Sequence, residues 1–227
     1  MQKIEPIEYG YYYHIYNRGI NGTDIFTTND NYSWFMELYL KYIDLIADTY
    51  AWCLMKNHFH FLVRIKDEDE TGFYVFENNS SRSVGRWKIV SMEDLPVSAG
   101  PGRVEKLKKP TPSRQFSHLF NAYTKWFNIR YNRTGSLFKK PFKRKLVESE
   151  DYLRRLVYYI HHNPVHHGFS DTIIKYPWTS YLAIVKPHET KLKQEEVIDW
   201  FEDLENFKFY HQQEHELELM KEVLIDL

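Results

Sequence analysis

The chain has almost no cysteine: Cys53 is the only one among 227 residues. That excludes an intramolecular disulfide and any zinc site built from several thiolates. Cys53 sits in an apolar run and is expected to be a small core residue. Long apolar stretches are also missing. None approaches the ~18 residues that a membrane-spanning helix needs. No glycine-rich loop of the kind that cradles nucleotide phosphates is present. The opening residues, Met1-Gln2-Lys3-Ile4-Glu5-Pro6, lack the pattern of a signal peptide, so a cytoplasmic location is expected.

What the chain does have is enough apolar material for a full core. A hydrophobic fraction of 43% over this length predicts one domain with additions. The net charge of -1 hides an asymmetry. Residues 103–146 hold 13 Lys or Arg against one acidic residue, Glu105, for a net of +12. Residues 189–227 hold 12 Asp or Glu against four Lys, for a net of -8. The basic band suits a polyanion. Aromatic residues run through it: Phe116, Phe120, Tyr123, Trp126, Phe127, Tyr131, Phe138 and Phe142. Charge that follows a phosphate backbone, interleaved with rings that stack on bases, is how single-strand binding surfaces work. A helix through this region must bury one face, so most of these rings are expected in the core and a few against nucleic acid.

The apolar periodicity predicts a strand over Tyr9–Asn17 and an amphipathic helix over 29–47, with Asn29 or Asp30 as its cap. Two strands over 49–56 and 58–65 follow, joined as a hairpin at Lys56-Asn57. Residues 66–112 break the pattern and read as a long insertion, mobile or ordered only by a ligand, with a short hairpin around Trp87 to Val90. A serine-capped helix over 113–132, a strand over Lys143–Val147 and a helix from Ser149 complete the plan. Glu150 and Asp151 favour the last helix's dipole, and Pro164 is expected to end it. Strand, helix, strand, strand, helix, strand is the order of a ferredoxin-like α+β antiparallel sheet. The helix beginning at 150 is an addition to it.

The residues with the clearest chemistry are His58-Phe59-His60. On a strand they alternate, so both imidazoles share one face, while Phe59, Phe61 and Val63 share the other and anchor the strand. Two imidazoles side by side supply two ligands of a divalent-metal site. Mg²⁺ or Mn²⁺ prefers about six ligands, many of them oxygen. Asn163 is a candidate third, through its amide oxygen. It lies four residues beyond Tyr159, so both can project from one helix face. A C-terminal cap beside Pro164 is the alternative role for Asn163. Tyr158 and Tyr159 point about 100° apart, so only one can meet the His58–His60 face, and the offset to Asn163 favours Tyr159. His161, His162, His166 and His167 are expected at the surface or on phosphates, because the helix is expected to end between the pairs. Lys143 and Lys145 share a strand face and would either neutralise a phosphate or stand solvated on an edge. Arg18, with Asn17 and Gly19, contacts DNA or holds a turn.

Taken together, these segments resemble the single-tyrosine HUH transposases, including the REP-associated tyrosine transposases. Four motifs carry the resemblance: Asn17-Arg18-Gly19; Leu54-Met55-Lys56-Asn57-His58-Phe59-His60-Phe61-Leu62-Val63; Phe127-Asn128-x-Arg130-Tyr131 through Leu137-Phe138-Lys139-Lys140-Pro141-Phe142-Lys143; and the Tyr-Ile-x-x-Asn-Pro-Val ending at Val165. They span roughly residues 10–185 in the family's order. Lys56 stands where the family usually has Pro. The resemblance implies a catalytic domain over 1–185 with the insertion 66–112, followed by an acidic helical tail over 186–227. It also implies metal-dependent cleavage and rejoining of single-stranded or hairpin DNA. Tyr159 would be the nucleophile, and His58, His60 and Asn163 would be ligands of Mg²⁺ or Mn²⁺. Arg18, Lys139, Lys140, Lys143, Arg144 and Lys145 would contact DNA. Such a protein would be nucleoid-associated, as a monomer or a homodimer. The alternative is a non-catalytic DNA-binding regulator of the same fold, retained by a host.

Overall fold

The structure is a computed structural model describing residues 6–77, 86–91, 93–94, 108–186, 190–213 and 215. Its centre is an antiparallel sheet of four strands: β1 (Tyr12–Arg18), β2 (Ala47–Met55), β3 (His58–Ile65) and, last in sequence, β6 (Lys143–Val147). The spatial order β2-β3-β1-β6, with the helices α1 (Asn29–Ile43) and α2 (Pro112–Arg130) on one face, is the ferredoxin-like α+β plan. The hairpin β4 (Phe73–Glu77) and β5 (Arg86–Val90) lies within the 66–112 segment. Within that insertion, residues 78–85, 92 and 95–107 fall outside the described residues. Three shorter elements end the order: α4 (Tyr181–Val185), α5 (Gln194–Asp199) and α6 (Leu204–Gln212), after the long α3 (Glu150–His166). No helix among the described residues is long and apolar enough to cross a membrane.

The sheet is covered on both faces, which explains why β3 is buried at every position but Arg64, its two histidines included. Phe59, Phe61, Val63 and Ile65 pack with Ile15, Phe35, Tyr39 and the α2 aromatics in one core. Leu62, Ala51, Cys53 and Met55 pack on the other face against Leu153, Leu156, Val157 and Ile160 of α3. Each Leu, Val, Ile or Met among them contributes about 1.5–3 kcal/mol on burial, so the second face is what holds α3 down. Val197, Phe201 and Phe207 of α5 and α6 join that second core. Residues 216–227 of the acidic tail lie outside the described residues.

Three helix ends differ from the sequence expectation. Thr28, not Asn29 or Asp30, caps α1, in a capping box with Asn31. Thr111 precedes α2, with Pro112 rather than Ser113 at its start, where a missing N–H costs nothing. Ser149 caps α3 as expected, accepting from Tyr152 N at 3.2 Å. Pro164 does not end α3, which continues to His166. The stop comes at Gly168, whose φ of +69° suits a residue without Cβ. Burial of α3 on the sheet outweighs the one hydrogen bond that Pro164 forgoes.

Candidate active site

β3 ends its hairpin at His58, and register fixes which rings meet. His58 pairs with Arg18 and His60 with Tyr16 across to β1. Period two puts His14, Tyr16 and Arg18 on the same face as His58 and His60. β6 adds Lys145 opposite His14 and Lys143 opposite Tyr16. The expectation that Lys143 and Lys145 share a face therefore holds, and that face is the histidine face. Arg144 points the other way, donating through Nη1 to Ser113 Oγ of α2 at 3.0 Å.

α3 lies over this face. Tyr159 is buried, with its ring centroid 5.5 Å from that of His60 and 6.2 Å from that of His14. Tyr158, one step round the helix, faces away. It stacks on His162 at 3.9 Å and donates to the Gln213 carbonyl at 3.2 Å. Asn163 is buried one turn beyond Tyr159, inside the helix, and so is not its C-terminal cap; His167 holds that position.

The polar atoms have a definite polarity. Asn163 Nδ2 donates to the Tyr159 carbonyl at 3.3 Å, which turns Oδ1 toward His58 Nε2, 3.5 Å away. His58 Nδ1 meets Asn57 Oδ1 at 2.7 Å. Amide oxygen only accepts, so Nδ1 carries the proton and Nε2 is a bare lone pair facing another lone pair. His60 Nδ1 meets His14 Nε2 at 2.9 Å, and His60 Nε2 is buried with no hydrogen-bond partner. The His58 and His60 ring centroids lie 5.4 Å apart. Burial, first, and neighbouring positive groups, second, hold His58 at a pKa of about 3 and His60 well below its ordinary range. Both are neutral at pH 7, the form that ligates metal.

Facing lone pairs on His58 and Asn163, beside an orphaned buried nitrogen on His60, make a donor set that a divalent cation would satisfy. No group of three His, Cys, Asp or Glu side chains with metal-ligand spacing occurs among the described residues, so a third protein ligand here would have to be the Asn163 amide oxygen.

The other expected residues scatter. Arg18 is half-buried beside the site, close enough to His58 and His167 to depress their pKa values. Lys139, Lys140 and Lys143 are exposed. Lys145 lies over the Tyr152 ring at 5.0 Å. The four histidines after 160 are not uniformly superficial, contrary to expectation. His161 is buried, bonded to His211 at 2.9 Å and to Ser180 Oγ at 2.8 Å. His162 bonds the His211 carbonyl at 3.0 Å. These contacts tie α6 to α3. His167 packs 4.8 Å from His58.

The sequence reading missed His14 and Tyr16. The sequence shows only that they stand two apart on the first strand, in step with Arg18; that they face His60 follows from the register. Tyr16 stacks on His60 at 5.9 Å with 14° between the planes. The strand ends are held by backbone. Gly19 N donates to the Asn57 carbonyl at 2.8 Å, and the Lys56 carbonyl accepts from Ile25 N at 2.6 Å and Phe26 N at 2.8 Å.

No protein-family model and no curated protein sequence matches this chain. Among solved structures, one of a REP-associated tyrosine transposase bound to a REP hairpin is similar, with a TM-score of 0.51, 14% identity, and coverage of 82% of this chain and 84% of that one. The two share a fold.

Proposed function

We propose that this protein is a single-tyrosine nuclease and strand-transferase acting on single-stranded or hairpin DNA with a divalent metal. The observation that carries the reading is the placement of His58 and His60 on one sheet face, with Asn163 Oδ1 3.5 Å from His58 Nε2 and His60 Nε2 buried without a partner, beside the buried Tyr159. The shared fold with a transposase bound to a DNA hairpin supports it, and so does the basic band over residues 103–146.

In this reading Tyr159 Oη attacks the phosphorus of one phosphodiester. The new bond is Oη–P, and the bond to the leaving strand's oxygen breaks. The phenol proton is lost and the leaving oxygen ends as a hydroxyl, so the step balances without nucleotide hydrolysis. The phosphotyrosine keeps the ester energy, and a second strand's hydroxyl reverses the step to rejoin DNA. A bound Mg²⁺ or Mn²⁺ supplies Lewis-acid polarisation of the phosphate. The chain's own residues do the rest. Asn57 holds the His58 tautomer, and His14 accepts from His60 Nδ1, leaving both Nε2 atoms bare. Arg18, Lys143 and Lys145 neutralise phosphate charge on the same face. Leu153, Leu156 and Val157 seat α3 so that Tyr159 faces His60.

The test uses a labelled hairpin oligonucleotide with single-stranded flanks, incubated with the protein in Mn²⁺ or in chelator. An adduct that survives denaturing electrophoresis, requires metal and is lost in Tyr159→Phe is the expected result. Binding with no adduct under any metal would instead favour a non-catalytic regulator.

A further inference from the structure

A cavity of about 780 Å³ opens on the side of the sheet away from Tyr159. One wall is a single stripe of α2: Ser117, Phe120, Asn121 and Thr124. The other is the segment from Gly135 to Phe142, with Arg144 beyond it and Asn17 at the back. Phe120, Phe138 and Phe142 supply the aromatic lining. Arg144 lies over the Phe142 ring at 4.3 Å. Its Nε is buried without a hydrogen-bond partner. None of the described residues lining the cavity is acidic. Among the described residues no carboxylate pairs with this half-buried guanidinium, which has Ser113 Oγ at 3.0 Å as its hydrogen-bond partner, and that is unfavourable unless an anion joins it. Burial is the largest influence on this group and lowers its pKa.

The cavity is physically joined to the catalytic face. Lys139 N donates to the Arg18 carbonyl at 2.9 Å, and Asn17 Nδ2 donates to the Lys139 carbonyl at 3.1 Å. Arg18 stands beside His58, so a strand leaving the histidine face past Arg18 meets Lys139 and Lys140 next, at the mouth of the cavity. A phosphate alone would leave most of this volume empty. An aromatic floor rimmed by an amide and hydroxyls suits a base as well.

Resting on the DNA reading above, we propose that this cavity takes one unpaired nucleotide of the bound strand. Its base lies against Phe120, Phe138 and Phe142, with Asn121 and Thr124 at the base edges. Its phosphate meets Arg144, Lys139 and Lys140. Such a subsite selects single-stranded flanks over closed duplex, because a paired base cannot enter it.

The experiment measures fluorescence anisotropy of the full chain with two probes: a random-sequence single strand of about one helical turn's worth of nucleotides, and a blunt hairpin without flanks. Asn121→Trp fills the cavity from an exposed position without altering charge. It should weaken single-strand binding about tenfold, the scale of one stacked base, and change hairpin binding less than about twofold. Arg144→Gln should weaken single-strand binding and lower the salt slope by about 0.7, one phosphate's share, while Arg144→Lys restores the slope. Wild-type affinity for the single strand in both Asn121→Trp and Arg144→Gln would overturn the proposal, as would equal weakening of both probes. Saturable binding of free dAMP, with neither variant affecting the single strand, would assign the cavity to a free nucleotide and also overturn it. If the wild-type protein binds neither probe, the DNA reading itself falls.

Discussion

Acid should unfold this protein well above the range where carboxylates protonate. Burial holds His14, His58 and His211 at pKa values of about 3, and holds His60 and His161 well below the ordinary 6.5. In the unfolded chain each ring titrates near 6.5. The folded values are depressed, so between the two values the unfolded chain binds more protons. Stability therefore falls as pH drops below about 6.5. Each ring kept neutral costs about 1.4 kcal/mol per pH unit well below that point. At pH 6 the loss is about 0.8 kcal/mol per ring, roughly 4 kcal/mol for the five, and a chain of this size should lose on the order of 10 °C in Tm. At pH 5 the loss reaches roughly 10 kcal/mol, comparable with the whole stability of a typical domain. Far-ultraviolet circular dichroism melts between about pH 7.5 and about pH 5 would read this. Chelator must be present so that no metal holds His58 and His60 neutral in its own right. A Tm that stays level down to pH 5 would refute the argument that these rings enter the fold uncharged.

The same geometry supports further predictions. His14→Phe keeps the ring volume and loses the acceptor for His60 Nδ1, so calorimetric Mn²⁺ affinity should fall about 10–100-fold, with His14→Gln recovering most of it; unchanged affinity in His14→Phe would remove His14 from the site. Tyr159→Phe should bind DNA and give no covalent adduct, whereas Tyr158→Phe, whose hydroxyl is committed to the Gln213 carbonyl, should still give one; a trapped peptide carrying DNA on Tyr158 would reverse the assignment. Replacing Lys139, Lys140 and Lys143 by Gln should flatten the log–log salt dependence of single-strand binding by about 2, and a slope equal to wild type would show that DNA runs elsewhere.

Much of the fold was legible because its signals are local. The apolar run of β3, the Lys56-Asn57 turn and the Ser149 cap each declare themselves within a few residues. That Tyr159 rather than Tyr158 lies by His60 was legible from the four-residue offset to Asn163 together with the family resemblance, not from helix geometry alone. His14 was not. It is a diagonal neighbour of His60, two residues from the Tyr16 that pairs with it, and a diagonal exists only once register is known. The buried role of His161 was hidden for a similar reason: its partner His211 is 50 residues away. Pro164 misled because local backbone preference argued for a stop, while the stabilisation that carries α3 past it comes from a sheet that the local sequence does not contain.

Two neighbouring points at the hairpin end would respond in opposite ways to drift in sequence. At Lys56 the fold uses the carbonyl, which accepts from two amides; the side chain is exposed and reaches Asp24 only at 4.0 Å, a surface pair of little worth. Any residue supplies that oxygen, proline included. Lysine in place of another residue at this position therefore costs the fold little, its other side-chain contact being the Phe169 ring at 5.7 Å. At Gly19 the reverse holds. A Cβ would overlap the Thr23 carbonyl, so even alanine would push apart the turn whose amides reach Lys56. A substitution at 56 says little about whether the site is intact, whereas a substitution at 19 would say a great deal.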